Sequence, residues 1–156
     1  MASSDAVAAL RAQERGVLIQ IASMIMEKAI SLSSWSKHIS SSFHLSEVTE
    51  LSDGMMITIG NSAPEALAFE RGSGIHGPTG ETYDIVPKNA NALAFLGTHG
   101  YGNPWVITQH VSHPGVGARP YMHPANEAVR PVAMEMLKQA VGSAVRLTIQ
   151  EAWKRE

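Results

Sequence analysis

The stretch WVITQHVSHPGVGARPYMHPA, residues 105–125, decides the fold, because a strand, a crossing and a helix start follow one another inside it. Trp105, Ile107 and Gln109 alternate with Val106, Thr108 and His110, and the apolar majority predicts a strand that is central or covered on both faces. His113-Pro114-Gly115 and Ala118-Arg119-Pro120-Tyr121 then hold the chain extended, since proline fixes its own φ and pushes the preceding residue away from helical angles. Pro124 suits the first turn of a helix, where its missing N–H would lack a partner in any case. The chain before this crossing is read as a first helix and a sheet, the chain after it as one helix.

Downstream, Val132, Met136, Leu137, Ala140, Val141, Ala144, Val145, Thr148, Ala152 and Trp153 recur at spacings of three and four and predict a helix over 124–154. Pro131 predicts that one short turn precedes the main helix. At the other end, Ser3, Ser4 and Asp5 are N-cap residue types before the apolar series Val7, Leu10, Val17, Leu18, Ile21, Met24 and Ile25, which predicts a helix over 5–40. Serines at 31, 33, 34, 36, 40, 41 and 42 compete for backbone hydrogen bonds and should bend or fray its end. Gly16 costs that helix about 1 kcal/mol relative to alanine, with close packing against another element as one possible reason.

Between the helices the apolar period falls to two. Phe43, Leu45, Val48 and Leu51 precede Ser52-Asp53-Gly54, and MMITI (55–59) follows, so Asp-Gly marks a hairpin. Glu65 to Arg71 is a short helical or irregular segment, Tyr83, Ile85 and Pro87 begin a third strand, Asn89 to Asn91 turn, and Ala92 to Leu96 form a fourth. The fold class is therefore α+β: an antiparallel β-sheet packed in two layers against a long N-terminal helix and a long C-terminal helix. A single domain is expected over 1–156, with the sheet over 43–112 and long loops at 71–82 and 97–104.

Composition narrows the function classes. A formal net charge of −2 supplies no basic stripe for tight phosphate binding, and the absence of cysteine removes disulfides, thiolate metal sites and cysteine nucleophiles. Arg11, Glu14, Arg15 and Glu27 interrupt the N-terminal apolar series, so neither a leader nor a membrane span is expected there. Gly72-Ser73-Gly74-Ile75-His76-Gly77 satisfies G-x-G-x-x-G, yet Pro78, Thr79 and Gly80 follow where a dinucleotide site needs a helix N-terminus. A mobile loop that orders on contact with a neighbour is the expectation, and no cofactor is assigned.

The histidines give the competing class, a small metal-dependent hydrolase built around His110 and His113, with His99 and His123 as further ligands and Glu127 as base. Strand spacing, however, turns His110 and His113 to opposite sides, and no H-E-x-x-H is present. A Ser-His-Asp site lacks its G-x-S-x-G elbow, and the methionines read as core filler. The expectation is that the chain is not an enzyme.

Three blocks in order resemble a known family. They are Ala66 to Pro78 (with Phe69-Glu70-Arg71-Gly72-Ser73-Gly74), Ile85 to Phe95 (with Pro87-Lys88-Asn89-Ala90 and Leu93-Ala94-Phe95), and Val111 to Ala125 (with His113-Pro114-Gly115 and Arg119-Pro120-Tyr121). Together with the C-terminal helix they are similar to the landmarks of the neck or tail-completion proteins of long-tailed double-stranded DNA bacteriophages. The resemblance implies a structural virion protein at the head-to-tail junction, assembled in the host cytoplasm. It would form or join a ring that completes or terminates the tail, six copies expected and twelve the alternative. Its partners would be other neck and tail proteins, with genome DNA passing through without specific binding and no membrane. Ring contact is expected from Phe69, Glu70, Arg71, Gly72, Gly74 and His76, from Tyr101 and Trp105 around the second loop, and from His113, Arg119 and Tyr121. His113 and Arg119 are expected to pin the crossing or to touch a neighbouring subunit.

Overall fold

In the computed structural model, residues 4–97 and 105–153 are described. The fold is α+β, with two long helices and short antiparallel strand pairs. The chain divides into two compact units, Met1–Ala66 with Tyr121–Glu156 and Leu67–Pro120.

In the first unit, α1 (Ser4–Leu32) stops where the serines begin. Ser33 is fully buried and its Oγ donates to the Ala29 carbonyl at 2.8 Å, so the side chain competes for an acceptor of the helix. Ser36 then caps α2 (Lys37–Ser40) by accepting the Ile39 N–H at 3.3 Å. The helix expected over 5–40 is thus two helices, divided where side-chain oxygens offer the backbone an alternative. Asn61 ties this corner to the strands: its Nδ2 donates to the Ile39 carbonyl at 2.9 Å and its Oδ1 accepts the Ala63 N–H at 3.0 Å.

The strands β1 (Phe43–Leu45), β2 (Thr49–Glu50), β3 (Met55–Met56) and β4 (Ile59–Asn61) form one interrupted hairpin. Leu45 pairs with Ile59 and Thr49 with Met56, so residues 46–48 face only 57–58 and one extra residue bulges the first strand. The Leu51 N–H donates to the Gly54 carbonyl at 2.8 Å and closes the turn that Asp-Gly predicts.

The last helix, α4 (Met122–Trp153), runs through Pro131 without the break expected there. An interior proline costs a helix about 3 kcal/mol, and packing offsets it. α4 lies along α1, with Ala22, Ala29, Ala125, Val129 and Ala140 buried. The small alanines allow close backbone approach, so each helix covers the other instead of lying side by side on a broad sheet; no ladder among the described residues is wider than two strands. Gly16 has nothing near the place of a Cβ, which excludes close packing as its reason.

The second unit takes in most of α3 (Ala66–Arg71), a 3₁₀ turn at Gly74–His76, and β5 (Tyr83–Ile85), β6 (Leu93–Leu96), β7 (Trp105–Thr108) and β8 (Val111–His113). β5 pairs with β8 and β6 with β7, both antiparallel, so the inner pair is nested in the outer as one long arm. Between the two ladders the outgoing side has residues 86–92 and the returning side only 109–110, which interrupts the hydrogen bonding. The strand expected over 105–110 to be central or covered on both faces is instead one side of a two-stranded ribbon, with Trp105, Val106 and Ile107 all exposed. An apolar strand reads the same whether its cover comes from its own chain or from elsewhere.

Candidate functional site

The glycine-rich block and the HPG block, forty residues apart, meet as a backbone clasp in the second unit. The Ser73 N–H donates to the Val116 carbonyl at 3.0 Å, the Ile75 N–H to the Pro114 carbonyl at 2.8 Å, and the Val116 N–H to Ser73 Oγ at 3.1 Å. The Arg119 N–H donates to the Phe69 carbonyl at 2.6 Å and extends the clasp. Such contact requires glycine. Gly74 and Gly115 have φ of +60° and +90°, and a Cβ on either would collide with the carbonyl oxygen of Pro114 or Ser73 respectively. The G-x-G-x-x-G spacing therefore serves a crossing of two chain segments, and the first part of loop 71–82 is stapled to its own chain where a mobile loop was expected.

His113 belongs to this clasp. Its Nδ1 accepts the Gly115 N–H at 2.9 Å, and its ring lies 5.2 Å from that of Tyr83, tilted by 30°. It pins the turn at Pro114-Gly115, one of the two roles expected of it. His110 is displaced from it along the ribbon and sets Nε2 2.9 Å from Asp84 Oδ1, both side chains exposed. Among the described residues no three His, Asp or Glu side chains gather where they could hold a metal ion, and no observation favours the hydrolase reading. His99 lies outside the described residues.

The other residues expected at a subunit contact fall into distinct places. Gly72 and Gly74 are buried inside the clasp, Phe69 and Glu70 are half-buried, and Arg71, His76 and Arg119 are exposed. Tyr121 is corrected most sharply. It is 2 % exposed, its hydroxyl donates to the Ala66 carbonyl at 3.1 Å, and the ring of Phe43 meets it edge-on with centroids 5.7 Å apart. An amphipathic side chain with an internal acceptor for its hydroxyl completes a core, so Tyr121, Gly72 and Gly74 hold the chain together rather than face a neighbour. Trp105 is exposed; Tyr101 and most of the 97–104 loop lie outside the described residues.

Two apolar surfaces are better exposed than most of the residues that sequence reading selected. On α4 the buried face is Ala125, Val129 and Ala140, yet Met134, Leu137, Val141 and Val145 form a second stripe, exposed, at spacings of three, four and four. Leu137 and Val141 border a groove of about 200 Å³ shared with Val17, Leu18 and Met55. The second surface is the β6–β7 ribbon, with Ile107 74 %, Leu96 62 % and Trp105 53 % exposed. Both were detectable in principle: the helical stripe is too wide for one covered face, and residues 89–109 contain no Asp, Glu, Lys or Arg.

Among the described residues an electrostatic perturbation lies at the α2 corner. Glu65 is held below the usual carboxylate range by a hydrogen bond with its own backbone and by His38, whose Nδ1 stands 2.6 Å from Glu65 Oε1. Among the described residues no helix is long and apolar enough to cross a membrane.

No family model, curated protein or solved structure matches the chain.

Proposed function

We propose that this chain is a structural subunit of the head-to-tail junction of a long-tailed double-stranded DNA bacteriophage, acting through assembly and not through catalysis. The observation that carries the assembly is the apolar surface left uncovered. On α4, Met134, Leu137, Val141 and Val145 are 50, 44, 58 and 52 % exposed, and on the β6–β7 ribbon Leu96, Trp105 and Ile107 are 62, 53 and 74 % exposed. Contiguous apolar surface of this kind is characteristic of subunits that meet others.

The resemblance supplies the kind of assembly. The first and third of its blocks are the two halves of the clasp, so those residues have a shared structural task that a chance match would not require. A rigid crossing suits a ring subunit, because segments already fixed lose little entropy when neighbours dock on them. Rings close through heterologous contacts, one surface meeting a different surface of the next copy. Six copies is the expected number and twelve the alternative. The mild net charge of −2 is compatible with a passage that DNA traverses without being held.

The test is electron microscopy of the purified chain, together with particles assembled with and without it. Closed rings, and tails that fail to join heads in its absence, are the expected result. Joined, infectious particles lacking the protein would refute the proposal.

A further inference from the structure

We infer that the Asp53-Gly54 peptide unit, at the tip of the β2–β3 hairpin, is a site of covalent self-modification at which the folded chain converts aspartate to isoaspartate. The inference does not depend on the assembly proposed above.

The chemistry needs a carboxyl group and the next residue's amide nitrogen, both unengaged and free to approach. The Gly54 nitrogen attacks Asp53 Cγ; the new C–N bond closes a five-membered succinimide, and the Cγ hydroxyl leaves with the amide proton as water. Water then adds back to either ring carbonyl. Cleavage of the ring bond to Cγ restores aspartate. Cleavage of the bond to the main-chain carbonyl carbon carries the backbone through Cβ and Cγ and leaves that carbonyl as a free carboxylate. Water is the only species released and taken up, nothing is oxidised or reduced, and the mass is unchanged.

Three observations place the reaction at Asp53. First, this is the only Asp or Asn that glycine follows in the chain. Without a Cβ on the attacking residue its nitrogen is approached unhindered, and beyond the chain neighbours nothing lies within 4 Å of the place a Gly54 Cβ would take. Second, both reacting groups are idle. Asp53 and Gly54 are exposed, and among the described residues the Asp53 carboxylate has no hydrogen bond or ion pair and the Gly54 N–H donates to no acceptor; Gly54 engages only its carbonyl, with Leu51.

Third, comparable residues are held. Asp84 is also exposed, but its Oδ1 stands 2.9 Å from His110 Nε2, and β-branched Ile85 follows it in the β5–β8 ladder. Asn61 has its side chain bonded to the Ile39 carbonyl and the Ala63 N–H, and the nitrogen that would attack it, that of Ser62, donates to the Ser42 carbonyl at 3.0 Å.

Isoaspartate adds a carbon to the backbone of a loop that closes a very short ladder, and loop length sets hairpin register. β2 and β3 pair through Thr49–Met56 and Glu50–Met55, and the 2.8 Å bond from the Leu51 N–H to the Gly54 carbonyl spans the unit that lengthens. From that ladder Glu50 reaches Arg11 on α1 at 3.1 Å, and Met55 borders the groove shared with Leu18 and Leu137. The modification therefore loosens the corner where the hairpin meets α1, and it accumulates with the age of the molecule.

The experiment ages the full chain at neutral pH and physiological temperature for several weeks, folded in buffer and unfolded in urea. Isoaspartate is read by methyl transfer from labelled S-adenosylmethionine with a protein isoaspartyl methyltransferase, and is located by peptide mapping with electron-transfer fragmentation. The folded wild type is expected to accumulate it at Asp53 and not at Asp84 or Asn61. Gly54→Ala, which meets open space at a φ that is not positive and should fold normally, is expected to lose most of the signal. Asp53→Glu, whose ring would need six members, is expected to lose all of it. The separated isoaspartyl form should unfold at a lower urea concentration than the starting protein. Modification in urea but not in the folded chain would show that the fold protects Asp53 and would overturn the inference. Absence from both samples, equal modification of Asp84 or Asn61, or a Gly54→Ala signal equal to that of the wild type would overturn it too. An unchanged urea midpoint would overturn the consequence drawn for the hairpin.

Discussion

Replacing Gly74 by alanine should loosen the second unit while leaving the first intact. At φ of +60° an L-residue gives up about 1–2 kcal/mol to the left-handed conformation. A larger effect follows from space: the new Cβ would occupy the position of the Pro114 carbonyl oxygen, and backbone cannot swing aside as a side-chain tip can. To admit it the two segments must separate, which disrupts the bonds Ser73 N–H to Val116, Ile75 N–H to Pro114 and Val116 N–H to Ser73 Oγ. At about 0.5–1.5 kcal/mol net for each hydrogen bond, strain and lost bonds together amount to about 3–6 kcal/mol. That is a large share of the ~5–15 kcal/mol that holds a typical domain folded. The assay is urea unfolding with exchange or proteolysis read separately over 67–120. Two controls divide the contributions: Gly80→Ala carries a comparable φ of +67° in open space and should cost about 1–2 kcal/mol, while Gly117→Ala meets nothing and should be nearly neutral. A Gly74→Ala loss below about 1 kcal/mol, or one equalled by Gly117→Ala, would refute the clasp as the organiser of this unit.

Three further outcomes are expected. Gly16→Ala should stabilise the chain by about 0.5–1 kcal/mol in thermal or urea unfolding, because the site is helical and open; a loss of stability would reveal a contact at Gly16. Tyr121→Phe should cost about 1 kcal/mol by removing the buried hydroxyl bond to the Ala66 carbonyl, and an unchanged midpoint would mean that this bond contributes nothing. Since folding depresses the carboxyl of Glu65, its contribution is present above the ordinary carboxylate range and is lost as pH falls through the lower folded-state value. Glu65→Gln should therefore flatten the stability profile in that acid window and leave its slope at neutral pH alone; an identical acid limb in both proteins would count against the assignment.

Much of the fold was legible because it depends on local rules. The Asp-Gly turn and Pro124 near the start of the last helix each act over a few residues, and the structure places them within a residue or two of expectation; the serines also act locally, and they end the first helix at Leu32 where 40 was expected. Pro131 was misread because its local cost is outweighed by α1, which lies far away in sequence. The candidate site divides the same way. His113 at the crossing was visible from its proline neighbour, whereas Tyr121 was assigned to a surface because no local signal marks an acceptor at Ala66.

By itself, then, the sequence determined the order of helices and strands, the turns, and the absence of cysteine chemistry and strong net charge, since each follows from side-chain type and short-range geometry. Tertiary structure alone decided that the glycines of 72–77 grip the HPG turn, that Tyr121 is internal, and that apolar strands at 93–96 and 105–108 are left bare. Those outcomes depend on which distant backbone arrives at a given place, and an apolar pattern records that a residue shuns water without recording what will cover it.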